Sequence, residues 1–129
     1  MSKKHSILLV DDEASMRTIL HDKFVRDGYD ILQAENGEQG FSVAKESKPD
    51  IIISDITMPK MNGMEMMEKL RESSDWGKNV PIILFTNLKE SNSSTLHGLT
   101  CIKPCYYLIK GETPLSVLQE KVEEILNSK

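Results

Sequence analysis

The chain has 129 residues, of which 39% are hydrophobic and 28% are charged, and its formal net charge is −4. This length suits a single domain with one core, from about residue 6 to about residue 127, because a chain of this size buries roughly two thirds of its unfolded surface. The acidic balance disfavours nonspecific binding to nucleic acid, no stretch approaches the roughly 20 apolar residues of a membrane span, and the start lacks a secretory signal, so we expect a soluble cytoplasmic protein.

Short apolar runs alternate with amphipathic stretches along the whole chain, which is the pattern of repeated βα units in a parallel sheet. The predicted strands are Ser6–Val10, Tyr29–Ala34, Asp50–Ser54, Val80–Phe85 and Cys105–Ile109. We therefore predict an α/β fold, namely a doubly wound, flavodoxin-like parallel sheet of five strands flanked by five helices. Its strand order, 2-1-3-4-5, is borrowed from that class of proteins and does not follow from this sequence.

The first and last helices have the clearest sequence signals. The first helix is predicted at Ala14–Arg26, is terminated by Gly28, and packs one face on the sheet. The last helix is predicted to begin at Thr113-Pro114, a capping hydroxyl followed by proline. The apolar face of the first helix contains Met16, Ile19, Leu20 and Phe24, and that of the last contains Leu115, Leu118, Val122 and Ile125.

The middle of the chain is harder to interpret. Gly63–Ser73 is predicted as a helix whose methionines favour core packing over an adaptable binding surface. The segment Ser73–Asn79 is predicted as a polar loop. A further helix around Ser91–Thr95 is expected to be short or mobile, because Ser, Asn and Thr side chains compete for backbone hydrogen bonds.

Acidic residues follow two of the predicted strands directly. Asp11 and Asp12 come after the first strand, and Asp55 comes after the third. In the assumed strand order these two strands are neighbours, about 4.8 Å apart, so their carboxyl ends bring the three carboxylates together. Because such crowding is costly without compensation, we predict a hard divalent cation such as Mg²⁺ at this edge of the sheet.

Two other strands end in residues that suit phosphoryl chemistry. Thr86 lies at the end of the fourth strand and offers a hydroxyl donor, and Lys110 follows the fifth with a side chain long enough to reach the acids. Asp55 as nucleophile, with a cation and Lys110 neutralising oxygens, could accept a phosphoryl group. No glycine-rich loop follows the first strand, which argues against a nucleotide or flavin site.

Four motifs in this order resemble the receiver domain of two-component response regulators, over nearly the whole chain. They are Leu8-Leu9-Val10-Asp11-Asp12-Glu13, Ile53-Ser54-Asp55-Ile56-Thr57-Met58-Pro59, Pro81-Ile82-Ile83-Leu84-Phe85-Thr86 and Tyr107-Leu108-Ile109-Lys110. The resemblance implies that Asp55 takes phosphate from a phosphohistidine, with Asp11, Asp12, Asp55 and the backbone carbonyl of Thr57 around Mg²⁺. It also implies that Thr86 and Tyr107 switch conformation, with Tyr106 a competing candidate.

The resemblance further implies the partners. They are a sensor histidine kinase or histidine phosphotransfer protein upstream, and an effector protein downstream that recognises the surface of the helix before the fifth strand and of that strand itself. No output domain is expected on this chain, which would act as a monomer or a weak phosphorylation-dependent dimer. It would catalyse its own phosphorylation and dephosphorylation but turn over no external substrate.

Several positions depart from the family pattern. Gly111 follows Lys110 where proline is usual, which puts the direction of the lysine side chain in doubt; Lys103-Pro104 resembles the missing pair but precedes the fifth strand. Asn87 and Leu88 could impede water and slow dephosphorylation. A pseudo-receiver that binds a partner without phosphorylation therefore stays an alternative. An aspartate-based phosphatase is disfavoured, because Thr57 stands where it would have a second acid.

Overall fold

The computed structural model describes residues 4–87 and 106–127. Five parallel strands form one sheet in the order β2-β1-β3-β4-β5, as predicted. Their bounds are β1 Ser6–Val10, β2 Asp30–Ala34, β3 Ile51–Ser54, β4 Ile82–Thr86 and β5 Tyr106–Ile109. β4 begins two residues later than predicted because Pro81 has no N–H to donate; its carbonyl accepts a hydrogen bond from Ile52 instead.

Five α-helices and one 3₁₀ turn accompany the strands among the described residues. The helices are α1 Ala14–Arg26, α2 Gly37–Ser47, α3 Gly63–Ser73, α4 Asp75–Asn79 and α5 Leu115–Asn127, and the 3₁₀ turn is Lys110–Glu112. The helix predicted around Ser91–Thr95, like Leu88 and the Lys103-Pro104 pair, lies outside the described residues. None of the described helices has the length and hydropathy needed to cross a membrane.

Alternate residues of the strands face opposite sides of the sheet, and each side has its own core. One core lies under α2, α3 and α4, and the other lies under α1 and α5. The first contains Leu8, Val10, Ile52, Ile82, Leu84, Met66, Met67 and Leu70; the second contains Ile7, Leu9, Ile51, Ile53, Ile83, Phe85, Leu20, Phe24, Leu118 and Val122. The predicted core role of the α3 methionines is thus confirmed for Met66 and Met67, which are fully buried.

Two predictions about helices are wrong in detail, and a third is confirmed. Ile19 does not pack on the sheet but is 48% exposed, because Leu20 and Phe24 are the buried residues of α1 and Met16 packs beside them. The last helix begins at Leu115, one residue late, and the carbonyl of Pro114 accepts its first hydrogen bond from Leu118. Gly28 does end α1, with a φ of 99° that suits glycine.

The segment predicted as a polar loop between α3 and β4 contains the short helix α4. Its N-cap is Ser74, whose side chain accepts a hydrogen bond from the N–H of Gly77. The guanidinium of Arg71 in α3 then donates to the carbonyls of Gly77 and Val80, at 2.9 and 2.7 Å. These tertiary bonds hold the turn in helical form although its own sequence has little helical preference.

Candidate functional site

The strand register places the acidic residues side by side at the carboxyl edge of the sheet. Val10 is paired with Ser54, so the next residues, Asp11 and Asp55, leave neighbouring strands at the same level. Both continue the backbone pairing of the sheet: the N–H of Asp55 donates to Val10 and that of Asp11 donates to Ala34. The position of the two acids is therefore fixed by the sheet itself.

The three predicted carboxylates do converge. One oxygen from each of Asp11, Asp12 and Asp55 lies within 4.8 Å of the others. Asp11 and Asp55 are 4% and 8% exposed, whereas Asp12 is exposed at the rim. Asp11 Oδ1 accepts a hydrogen bond from the N–H of Glu13 at 2.9 Å, and Asp55 Oδ1 accepts one from Ile56 at 2.7 Å. An oxygen-only set of this kind fits a hard cation such as Mg²⁺.

Lys110, the first residue of the 3₁₀ turn after β5, reaches this cluster although glycine follows it. Its Nζ lies 2.6 Å from Asp11 Oδ2 and 3.1 Å from Asp55 Oδ2, and the side chain is only 4% exposed. Burial lowers the pKa of Lys110, but its hydrogen bonds to Asp11 and Asp55 outweigh burial, and the pKa is raised overall. Lys110 is therefore a permanent cation at physiological pH, and the doubt raised by Gly111 is resolved by this geometry.

One lysine does not balance the negative charge that surrounds it. Burial raises the pKa of Asp11 above its ordinary value, and hydrogen bonds from Lys110 and from the N–H of Glu13 offset this only in part. Glu13, a residue that the sequence analysis did not assign to the site, adds a fourth carboxylate 3.4 Å from Lys110 Nζ. The site as a whole carries an excess of negative charge, which a divalent cation would relieve.

A cavity of about 380 Å³ opens directly onto the acids. Its lining consists of Asp12, Glu13, Asp55, Thr57, Thr86 and Asn87. Asp11 and Lys110 lie behind this surface, so Asp55 is the buried carboxylate that a ligand in the cavity meets. Asn87, predicted to impede access, is exposed and does line the cavity. A larger cavity of about 520 Å³ beside Trp76 lies at the opposite edge of the sheet and contains none of these residues.

The loop between β3 and α3, which contains Thr57, is tied down at two points. The N–H of Gly63 donates to the carbonyl of Ile56 at 2.8 Å, and that of Gly37 donates to Met61 at 2.9 Å. A Cβ at Gly63 would lie 2.1 Å from the backbone oxygen of Asp55, and one at Gly37 would lie 2.3 Å from that of Met61. Only glycine permits these approaches, which bring the ends of α2 and α3 against the loop.

The two predicted switch residues lie on neighbouring strands. Thr86 is 1% exposed at the end of β4, where it pairs with Ile109. Tyr107 pairs with Leu84 and packs half-buried on the α2–α3 side of the sheet, and burial raises its pKa. Tyr106, the competing candidate, faces α5 instead, with Lys121 Nζ 4.8 Å from its ring centre. Tyr107 therefore lies on the same face of the sheet as Leu84, whereas Tyr106 lies on the opposite face.

Arg17 is the other residue at this edge that the sequence analysis missed. It donates a hydrogen bond from Nη1 to the backbone carbonyl of Asp11 at 2.6 Å and one from Nε to Gln33 Oε1 at 3.3 Å. The sequence signal that could have identified Arg17 is its position, one helical turn after Glu13.

Comparison with known proteins gives a consistent result. The family model of the response regulator receiver domain matches residues 7–119. The "Probable transcriptional regulator ycf27" of Porphyridium aerugineum is 35% identical over 124 residues, covering 96% of this chain and 49% of that protein. A "Chemotaxis protein CheY homolog" of Campylobacter jejuni is 32% identical over 126 residues, covering 95% of this chain and 92% of that protein.

Solved structures agree with these sequence relatives. The chemotaxis protein CheY4 of Vibrio cholerae superimposes with a TM-score of 0.84 at 25% identity, covering 95% of this chain and 99% of that one. The chain spans between a third and a half of the length of the transcriptional regulators that it matches.

Proposed function

Because this chain belongs to the response regulator receiver family, we propose that it is a phosphoacceptor module of a two-component pathway. Asp55 takes a phosphoryl group from a phosphohistidine of a sensor histidine kinase or of a histidine phosphotransfer protein. The observation that carries this proposal is the contact of Lys110 Nζ with both Asp55 and Asp11, at 3.1 and 2.6 Å, because it assembles the acid cluster and a cation despite Gly111.

Asp55 is favoured as the acceptor by its surroundings. It is the one buried acid that lines the cavity, and Thr86 and Thr57 line the same space. Asp11 has one oxygen bound to Glu13 N–H and the other to Lys110, and it does not line the cavity. Asp12 is exposed, so a phosphoryl group there would lack the sheltered donors that stabilise charge in transfer.

The residues present fit Mg²⁺, which would be held by the carboxylates of Asp11, Asp12 and Asp55 together with the backbone carbonyl of Thr57. When bound, the cation supplies positive charge beside the transferred phosphoryl oxygens. The protein's own part is to keep the carboxylates converged and to present Lys110 and the Thr86 hydroxyl as donors on the other sides.

In the transfer step a carboxylate oxygen of Asp55 forms a bond to phosphorus while the bond from phosphorus to the donor's imidazole nitrogen breaks. The nitrogen leaves with the electron pair and takes up a proton from solvent. Hydrolysis by water reverses the modification, so the chain promotes its own phosphorylation and dephosphorylation and turns over no other substrate. The chemistry consists of positioning and charge stabilisation.

The response follows from the added charge. A phosphoryl group on Asp55 brings three acceptor oxygens into a site where the buried Thr86 hydroxyl can donate a hydrogen bond, and Thr86 moves toward it. Tyr107, on the neighbouring strand, then turns inward and changes the surface that an effector protein recognises. A weak dimer formed only after phosphorylation is compatible with this scheme.

Phosphoramidate with Mg²⁺ tests the proposal directly. Intact-mass spectrometry should show a gain of roughly 80 Da. The gain should be absent in Asp55→Asn and after chelation of the metal, and it should persist in Asp22→Asn, which removes an exposed acid of α1. A wild-type chain that gains no mass would instead be a pseudo-receiver, and labelling that survives Asp55→Asn would assign the acceptor to another residue.

A further inference from the structure

Arg17 lies in the first turns of α1 and points back to the strand ends. Its Nη1 donates to the backbone carbonyl of Asp11 at 2.6 Å, and its Nε donates to the side-chain oxygen of Gln33 at 3.3 Å. Gln33 is paired with Leu9, so the guanidinium spans the carboxyl ends of β1 and β2. Its bond at the acidic edge is to the main chain and not to a carboxylate.

The main-chain carbonyl that Arg17 binds belongs to the peptide between Asp11 and Asp12. A peptide group is planar, so fixing the direction of the Asp11 carbonyl also fixes the N–H and Cα of Asp12. Asp12 needs this restraint more than its neighbours do. The carboxylates of Asp11 and Asp55 each accept a backbone N–H and contact Lys110, whereas that of Asp12 makes no hydrogen bond or ion pair with any described residue.

We propose that Arg17 is a positioning residue for the divalent cation, holding the Asp11–Asp12 peptide so that the Asp12 carboxylate stays among the ligands. This inference rests on the metal dependence proposed above. Without the guanidinium, the main chain at Asp12 loses this restraint and can carry the exposed carboxylate away from two carboxylates within 4.8 Å that repel it. Binding of the cation must then also order Asp12, which lowers the affinity for the cation.

The two hydrogen bonds of the Arg17 guanidinium make it possible to distinguish a positioning role from an effect of its positive charge alone. A guanidinium donates in two fixed directions, whereas a lysine ammonium places the same charge with one flexible donor group. If Arg17 acts by orientation, Arg17→Lys should lose part of the effect. The side chain of Gln33 accepts the hydrogen bond from Arg17 Nε. Gln33→Ala should therefore weaken the positioning of the guanidinium without changing any residue of the acid cluster.

Calorimetric titration of the metal-free chain with Mg²⁺ measures the effect. We expect Arg17→Gln to raise the dissociation constant for Mg²⁺ about tenfold. This factor corresponds to the lower end of the range of free energies measured for a hydrogen bond to a charged group. Arg17→Lys and Gln33→Ala should each raise it about threefold. Thr18→Ala, which changes the next and exposed residue of α1, should leave it unchanged.

Phosphorylation kinetics supply a second readout that a loss of folding would not mimic. In Arg17→Gln the Mg²⁺ concentration for half-maximal phosphoramidate labelling should rise by the same factor as the dissociation constant. The labelling rate at saturating Mg²⁺ should stay within about twofold of wild type, because Arg17 touches neither Asp55 nor the cavity.

The outcomes are distinct. Unchanged Mg²⁺ affinity in Arg17→Gln, or a saturating rate that falls as far as the affinity, overturns the positioning role while leaving phosphorylation of Asp55 intact. Should Arg17→Gln fail to fold by circular dichroism, Gln33→Ala decides in its place. A wild-type chain that binds no Mg²⁺ but is labelled without it overturns this inference together with the metal site, and an unlabelled wild type overturns the proposed function.

Discussion

Asp12 is one of three carboxylates crowded at the carboxyl edge of the sheet, and replacing it with asparagine should stabilise the metal-free protein. At 4.8 Å, the upper limit of the separation between their nearest oxygens, two unit charges repel by about 0.9 kcal/mol at the dielectric constant of water. That dielectric is appropriate because Asp12 is exposed. Two such neighbours give about 1.7 kcal/mol, and attraction to Lys110 offsets part of this, so the expected net gain in unfolding free energy is about 1 kcal/mol.

Thermal unfolding followed by circular dichroism in EDTA measures this gain. For a chain of this size, 1 kcal/mol corresponds to a rise in Tm of about 4 °C in Asp12→Asn. Adding Mg²⁺ should then stabilise wild type by about 1.4 kcal/mol at ten times its dissociation constant, and the variant by less, so the difference in Tm shrinks.

The matched control for Asp12→Asn is Glu46→Gln, which makes the same change in net charge on the last turn of α2, at the far edge of the sheet. It should leave Tm nearly unchanged. A Tm in EDTA that is equal or lower in Asp12→Asn, or a rise of the same size in Glu46→Gln, would refute the account of local charge crowding.

Three other predictions concern stability. Lys110→Met should lower the free energy of unfolding in urea by about 3 kcal/mol in EDTA, because it leaves two buried carboxylates without their cation. Gly63→Ala should destabilise by about 2 kcal/mol or more and abolish phosphoramidate labelling, because its Cβ would lie 2.1 Å from the backbone oxygen of Asp55. Tyr29 has a pKa raised by burial and by nearby acids, so its contribution to stability is complete below about pH 10 and is lost as pH rises further. Tyr29→Phe should flatten that loss in urea titrations carried out from about pH 10 upward.

Each of these has its own check. A Lys110→Met chain that is as stable as wild type in EDTA would mean that the buried acids do not need the lysine. Gly111→Ala is the control for Gly63→Ala, because a Cβ there meets nothing within 4 Å, and equal effects at the two glycines would exclude the proposed clash. An identical alkaline loss of stability in Tyr29→Phe and wild type would assign that loss to other groups.

The sheet and the acid cluster could be predicted because their signals are local. Each acid lies within two residues of the end of an apolar run, and parallel strands place such residues at one edge, so Asp11, Asp12 and Asp55 needed only the strand order to be brought together. The strand order itself came from the class of fold. Without it, the sequence would have indicated the same acids but not that they are neighbours.

The features that were missed depend largely on contacts made outside their own segment. α4 has a local signal in its N-cap Ser74, but it is held by Arg71 of α3, which binds the carbonyls of Gly77 and Val80 and which no pattern within the segment Ser73–Asn79 predicts. Ile19 fits the helical apolar spacing, yet Met16, Leu20 and Phe24 already pack on the sheet. The direction of Lys110 was uncertain because Gly111 allows many backbone paths, and only the surrounding carboxylates select one.

The glycine contacts at the loop between β3 and α3 make one side of the site rigid. Gly63 and Gly37 fasten that loop to two helix ends, with no space for a side chain at either point. If Asp55 is phosphorylated as proposed above, we expect little displacement on this side of the site. The structural change should then occur on the other side, where β4 ends at Thr86.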